Sequence, residues 1–437
     1  MSQGRFIVRT HGPQGPPGAT GAQGPAGADA LAGGAQPARS LLGFVPPAAV
    51  VTTFQTGHGW ITNGTGVGSS SLNDTTDFVL GSQAARVTST GLGGACQLRK
   101  LAGSAVSAVG RSIRLWIKVD DVTHVSSIVV YAGDTTLANR WTWTIDASGS
   151  QSGHWLKSGE WVSLTLNWQD ATQTGAPTRS AITDWQVALT DDAAGAVTMR
   201  LNGITLVPEP SSTYPTGVVT FTFDDGWDSQ YSEARKKLDQ YAYPAVAYLI
   251  ADMIGQSGRL TLAQARALQD ANGWQVSGHA ATDTVHGLTF TGVDSATAKA
   301  DYIAMREWLL ANGFAGGDHL AWPLGAYDPT VLREARRYWA SARSIHDRTH
   351  ETVPPADPLR LRCRTVTNAD STATIQGLID KAYADRGWLI LCFHKIVASP
   401  AQSTEYSIAN FGTIVDYVAT KGIPVRTVDQ VLRGPQT

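Results

Sequence analysis

Between residues 50 and 208, apolar and polar positions alternate in short runs. Ser112-Ile113-Arg114-Leu115-Trp116-Ile117-Lys118-Val119 is the longest, and similar runs lie at 84–88, 127–131, 141–145, 161–166 and 197–201. Clusters of Gly, Ser, Asn and Asp separate them. A period of two puts alternate side chains on opposite faces of a strand, so this region predicts an antiparallel β-sandwich of jelly-roll type. From 209 to 437 the pattern changes. Strand-like runs at 218–223, 245–250, 274–277, 319–322, 361–366, 388–393 and 424–427 alternate with stretches of helical period. Thr261-Leu262-Ala263-Gln264 opens one of these like a capping box, and Gly387 and Gly422 follow two others. Repeated β–α units imply a parallel sheet, and seven of them predict a distorted (β/α)7 barrel with its chemistry at the carboxyl ends of the strands.

Residues 1–49 carry a third pattern. Gly12, Gly15, Gly18, Gly21, Gly24 and Gly27 recur every third residue, giving the triplets GPQ-GPP-GAT-GAQ-GPA-GAD over 12–29. Only glycine fits at the axis of a collagen triple helix, so this repeat predicts a collagen-like stalk and a homotrimer, with an Ala/Gly/Pro-rich linker after it. The chain of 437 residues thus reads as multidomain.

Composition narrows the functions. A net charge of −2 with 16% charged residues gives no footing for nucleic acid or an anionic membrane surface. No run of eighteen apolar residues offers a membrane insertion, and Met1 to Arg5 lacks the apolar start of a signal peptide. Cys96, Cys363 and Cys392 are too scattered for a disulfide framework and read as buried thiols. Of the 14 Trp, more than half precede residue 190. Each is read first as core; as a group they make the β region a carbohydrate-binding module in expectation.

The chemistry concentrates at strand ends. Val218–Phe223 runs into Asp224-Asp225-Gly226, 274–277 into Gly278-His279, and 388–393 into His394. One carboxylate plus imidazoles, with a second carboxylate free to move a proton, is the ligand set of a hydrolytic divalent-metal site. Thr222-Phe223-Asp224-Asp225-Gly226, His279, Trp322-Pro323-Leu324-Gly325 and Leu391-Cys392-Phe393-His394 together resemble, in order, the motifs of the polysaccharide deacetylases, the NodB-homology or carbohydrate esterase family 4 enzymes. The resemblance spans about half the chain, from Tyr214 to Leu432.

It implies a metal-dependent deacetylase with Asp225 and His279 as metal ligands, zinc as the divalent metal, Asp224 as general base and His394 as general acid. Trp322, Pro323, Leu324 and Cys392 would form the substrate and oxyanion side, with the Leu324 N–H on the oxyanion. Two departures stand out. The family's second histidine falls here at Asp283, and His286, three residues on, is expected to be the third ligand instead. The family's arginine that orients the base is replaced by Ala321, with Arg360 or Arg362 as candidate substitutes.

With the stalk, the resemblance implies a phage tail or receptor-binding protein that deacetylates a bacterial capsule or cell-wall polysaccharide. It would stand beside other virion tail proteins and act at the host cell surface. The rival is a glycan-binding adhesin whose barrel is inactive. A third reading keeps the hydrolase and gives it a non-sugar amide.

Overall fold

A computed structural model describes residues 49–145, 156–209, 214–345 and 349–434. The triplets at 12–29 lie outside the described residues.

The first region supplies β1 (Ala49–Thr52), β2 (Ile61–Asn63), β3 (Val67–Asp74), β4 (Ala84–Ser89), β5 (Ala95–Lys100), β6 (Arg111–Val119), β7 (Val125–Asp134), β8 (Asn139–Ile145), β9 (Glu160–Leu166), β10 (Thr172–Thr174), β11 (Asp184–Asp191) and β12 (Thr198–Pro208). Among the described residues they form two six-stranded antiparallel sheets. One has the order β3-β4-β12-β6-β9 with β1 also on β12, and the other β10-β8-β7-β11-β5-β2. One core fills the space between them, and the alternation explains its composition. In β6, Ile113, Leu115, Ile117 and Val119 face inward, and in β8 Trp141, Trp143 and Ile145 do so. Trp60, Trp168 and Trp185 join them, and Trp168 packs edge-on against Trp141 and Trp143 at 5.1 and 5.2 Å. These five indoles are core and offer no sugar platform.

The second region is a seven-stranded parallel sheet. Its strands are β13 (Val218–Asp224), β14 (Val246–Ile250), β15 (Gln275–Ala280), β16 (His319–Ala321), β17 (Ser341–Arg343), β18 (Arg364–Thr365) and β19 (Trp388–Phe393), in the order β17-β16-β15-β14-β13-β19-β18. The sheet curls into an incomplete barrel, and a parallel bridge between Arg343 and Leu361 links the chain entering β18 to β17. Two strand expectations change. Pro424–Thr427 is not a strand; Val425 makes one bridge to Val219. Ser341–Arg343, unexpected, is one.

Alternation again sorts the side chains. Val219, Phe221 and Phe223 of β13 and Leu389, Leu391 and Phe393 of β19 face out against the helices, where the three phenylalanine rings pack edge-on against Phe411 and Phe223 also stacks on Trp274. Val218, Val246, Tyr248, Ala321, Cys363, Trp388, Ile390 and Cys392 fill the inside, and Val428 and Val431 of the terminal helix Val428–Arg433 close it. By the same period of two, Asp224 of β13, His279 of β15 and Arg343 of β17 belong to the inner set. No described helix is long and apolar enough to cross a membrane.

Candidate active site

Asp224 ends β13 in the inner layer, 4% exposed. Its Oδ2 accepts from the Arg343 guanidinium and lies 3.4 Å from the Cys392 sulfur, while its Oδ1 is buried with no hydrogen-bond partner among the described residues. Burial alone would raise this carboxyl's pKa. The adjacent Arg343 cation outweighs that, helped by His279 and His394, and holds it below the usual carboxylate range. Asp224 therefore stays ionised and keeps one oxygen to accept a proton.

Asp225 has a left-handed backbone, with φ 68°. Its Oδ1 is buried without a well-aligned donor, 3.3 Å from His286 Nε2 and 3.6 Å from His279 Nε2. Despite its burial, the neighbouring His286, His279 and His394 keep Asp225 strongly acidic. The two histidines arrive by different routes. His279 is a strand residue, and its Nδ1 sits 2.8 Å from the Ala321 carbonyl. A carbonyl only accepts, so Nδ1 carries the proton and Nε2 keeps its lone pair toward the carboxylates. Burial pushes His279 down to about 4, against the pull of Asp224. His286 comes from the short helix Asp283–Leu288. Thr282 caps that helix by accepting from the Val285 N–H at 3.2 Å, and Asp301 holds the loop through the Ala281 and Thr282 N–H groups. One helical turn then brings His286 back over the strand end, its ring 4.6 Å from that of His279.

Donor atoms of Asp225, His279 and His286 lie within 4.8 Å of one another. Two neutral-capable imidazoles and a carboxylate oxygen lacking a donor fit a divalent cation of borderline softness such as zinc. Asp283 stays outside this group: it is exposed and gives its N–H to Asp252. Asp224, Cys392 and His394 also bring donor atoms within 4.8 Å, but the guanidinium on Asp224 argues against a second cation there. His394 follows β19, the strand paired with β13. Gln230, fully buried, ties these two strand ends together by donating to the carbonyls of Asp224 (2.6 Å) and His394 (3.3 Å).

The remaining expected residues divide. Pro323–Gly325 form a tight turn in which Leu324 has φ 53° and is 62% exposed. Trp322 is 1% exposed, gives its indole N–H to the Leu359 carbonyl and packs on Phe290 and Tyr327. Trp322 and buried Pro323 thus support the turn, and only Leu324 of the three faces solvent. Cys392 is likewise buried, with its sulfur against the Asp224 carboxylate. Neither Arg360 nor Arg362 reaches Asp224. Arg360 pairs with Glu160 and Asp357, and Arg362 with Glu351. The group that does reach it, Arg343, lies directly across from Ala321 in the β16–β17 register. The alanine leaves the room that the arginine crosses.

An incomplete parallel barrel that gathers ionised carboxylates and imidazoles at the carboxyl ends of its strands has the layout of a hydrolase site. Comparison with known proteins narrows that class. Residues 211–341 match the family model described as Polysaccharide deacetylase, so this stretch carries a domain of that type. No curated protein matches the chain. Among solved structures, it is similar to a family 4 acetyl xylan esterase from Clostridium thermocellum in complex with a cobalt ion (15% identity, 49% of this chain and 90% of that one, TM-score 0.36). It is also similar to a family 4 carbohydrate esterase from Streptomyces lividans in complex with acetate (19%, 48% and 91%, 0.34). A third is BA3943 from Bacillus anthracis, described as a CE4 family pseudoenzyme (14%, 50% and 66%, 0.34).

Proposed function

We propose that this chain is a metal-dependent deacetylase that removes N-acetyl or O-acetyl groups from a bacterial surface polysaccharide. The observation that carries the reading is the separation of two adjacent carboxylates. Asp224 is paired with Arg343, while Asp225 stands with His279 and His286. Asp225, His279 and His286 would hold zinc, which when bound polarises a carbonyl and acidifies water. Asp224, kept ionised, takes the proton of the attacking water on its unpaired Oδ1. His394 gives a proton to the departing amine or alcohol. The exposed Leu324 turn borders the substrate, its N–H directed to the developing oxyanion. Two departures from the family pattern, the missing arginine and the irregular second motif, favour the adhesin reading; Arg343 on Asp224 and His286 beside Asp225 support the enzyme instead.

The triplets at 12–29 support a homotrimer, and stalk, β-sandwich and barrel together suit a phage tail component that acts at the host surface. Sedimentation equilibrium of the full chain should give three times 46.3 kDa. The activity test is acetate release from acetylated glucosamine oligomers. Release should stop with a chelator and return with Zn2+. Asp225→Ala should lose zinc and turnover together, and Asp224→Asn should keep zinc and lose turnover. Acetate release that persists in chelator, or in Asp224→Asn, defeats the reading.

A further inference from the structure

Asp225 is held from two sides by residues with no part in the donor group. Its left-handed backbone is unfavourable for a non-glycine residue and persists only where the surroundings impose it. Arg259 Nη1 donates to the Asp225 carbonyl at 2.7 Å, and Trp227 Nε1 donates to Asp225 Oδ2 at 3.2 Å. The two holders are also fixed to each other. Trp227 and Arg259 form an antiparallel bridge, with Leu260 N–H on the Gly226 carbonyl at 2.8 Å and Asp228 N–H on the Gly258 carbonyl at 3.1 Å. The Arg259 guanidinium lies 3.6 Å from the centre of the Trp227 ring, and the Lys395 ammonium 4.7 Å from it. Both cations and the bridge thus restrain the indole with its N–H aimed at Oδ2. With Oδ2 taken, Oδ1 is left facing His279 and His286.

We propose that Arg259 and Trp227 are positioning residues: a clamp that sets the backbone and carboxylate of Asp225 so that Oδ1 is presented to the metal. This rests on the metal reading above. It also makes a signed prediction. A guanidinium beside a cation site repels the cation, so if Arg259 acted only through its charge, removing it would tighten metal binding. If it acts by position, removing it weakens binding.

The test is calorimetric titration of Zn2+ into the metal-free full chain, with the visible spectrum of the Co2+ form as a second readout. Trp227→Phe, which keeps an aromatic ring and deletes the N–H, should raise the zinc Kd about 10- to 100-fold, the usual cost of losing a ligand's outer support. Arg259→Met should do the same, and Arg259→Lys should fall between. The Co2+ bands should move in each variant as the ligand geometry loosens. Wild-type Kd in Trp227→Phe, or tighter zinc in Arg259→Met, overturns the clamp while leaving the metal site standing. Absence of zinc binding by the wild type overturns the metal site, and the clamp with it. Should Arg259→Met not fold, Trp227→Phe decides.

Discussion

His279 is enclosed on every side, and this makes its protonation a stability term in the metal-free protein. Its pKa falls to about 4 through burial, against 6.5 in an ordinary imidazole. Above pH 6.5 neither folded nor unfolded chain binds the proton and there is no effect. As the pH drops from 6.5 to 4 the unfolded chain takes up the proton first, so stability is lost across that window and levels off below it. The full shift corresponds to about 3 kcal/mol. Metal-free protein should thus lose denaturation midpoint between pH 6.5 and 4, and His279→Gln should flatten that slope. An unchanged slope in the variant would place the titrating group elsewhere. The same residue shows what was readable beforehand. Asp224, Asp225, His279 and His394 each follow a recognisable strand, so their common end was legible. His286 in place of Asp283 is expected from the type of its side chain, and the Thr282 cap supplies the physical reason: it turns one side chain inward and leaves the other in water.

At the scale of elements, the limit was strand length. β13 and β19 are long, β-branched or aromatic, and buried on both faces, and such runs announce themselves. β17 has three residues, Ser341-Ala342-Arg343, too few to show a period. Without it Arg343 has no address, which leaves Arg360 and Arg362 as the expected partners of Asp224. Once β17 is in place, the register pairs Ala321 with Arg343, and both belong to the barrel interior. The pair reads as one arginine moved across to the neighbouring strand. Arg343→Ala should lower kcat for acetate release about 10- to 100-fold, as expected when a catalytic group loses its orienting partner. Adding Ala321→Arg to that variant should return most of the loss, because the guanidinium re-enters the same layer from β16. No recovery in the double variant would show that the strand of origin matters and that the exchange is not equivalent. Ser341, His319 and Asp429 form a second line of contacts, at 2.8 and 2.9 Å about His319. They resemble a hydrolytic triad, but the serine is fully buried, so these groups brace the closed end of the barrel.

At the scale of the molecule, sandwich and barrel share a buried polar seam. Asn167 donates to Thr349 Oγ1 and to the His350 carbonyl at 2.8 and 2.7 Å, and Arg360 of the barrel pairs with Glu160 of β9. Arg362 ties both sides, donating to the Thr165 carbonyl at 3.0 Å and to Glu351 at 2.8 Å. Glu351 is fully buried, and Arg362 satisfies it from its backbone and its side chain. Breaking a buried pair by removing one partner leaves the other's charge uncompensated, which costs about 3–5 kcal/mol. Arg362→Met should therefore destabilise the barrel through Glu351 and, through Thr165, loosen the sandwich as well. Because the seam is part of both cores' edges, the two regions should unfold together. Differential scanning calorimetry of the full chain should show one cooperative transition for them, moved down as a whole in Arg362→Met. Two resolved transitions in the wild type, with only one displaced by the substitution, would make the sandwich a module tethered to the barrel and the seam a contact without energetic consequence.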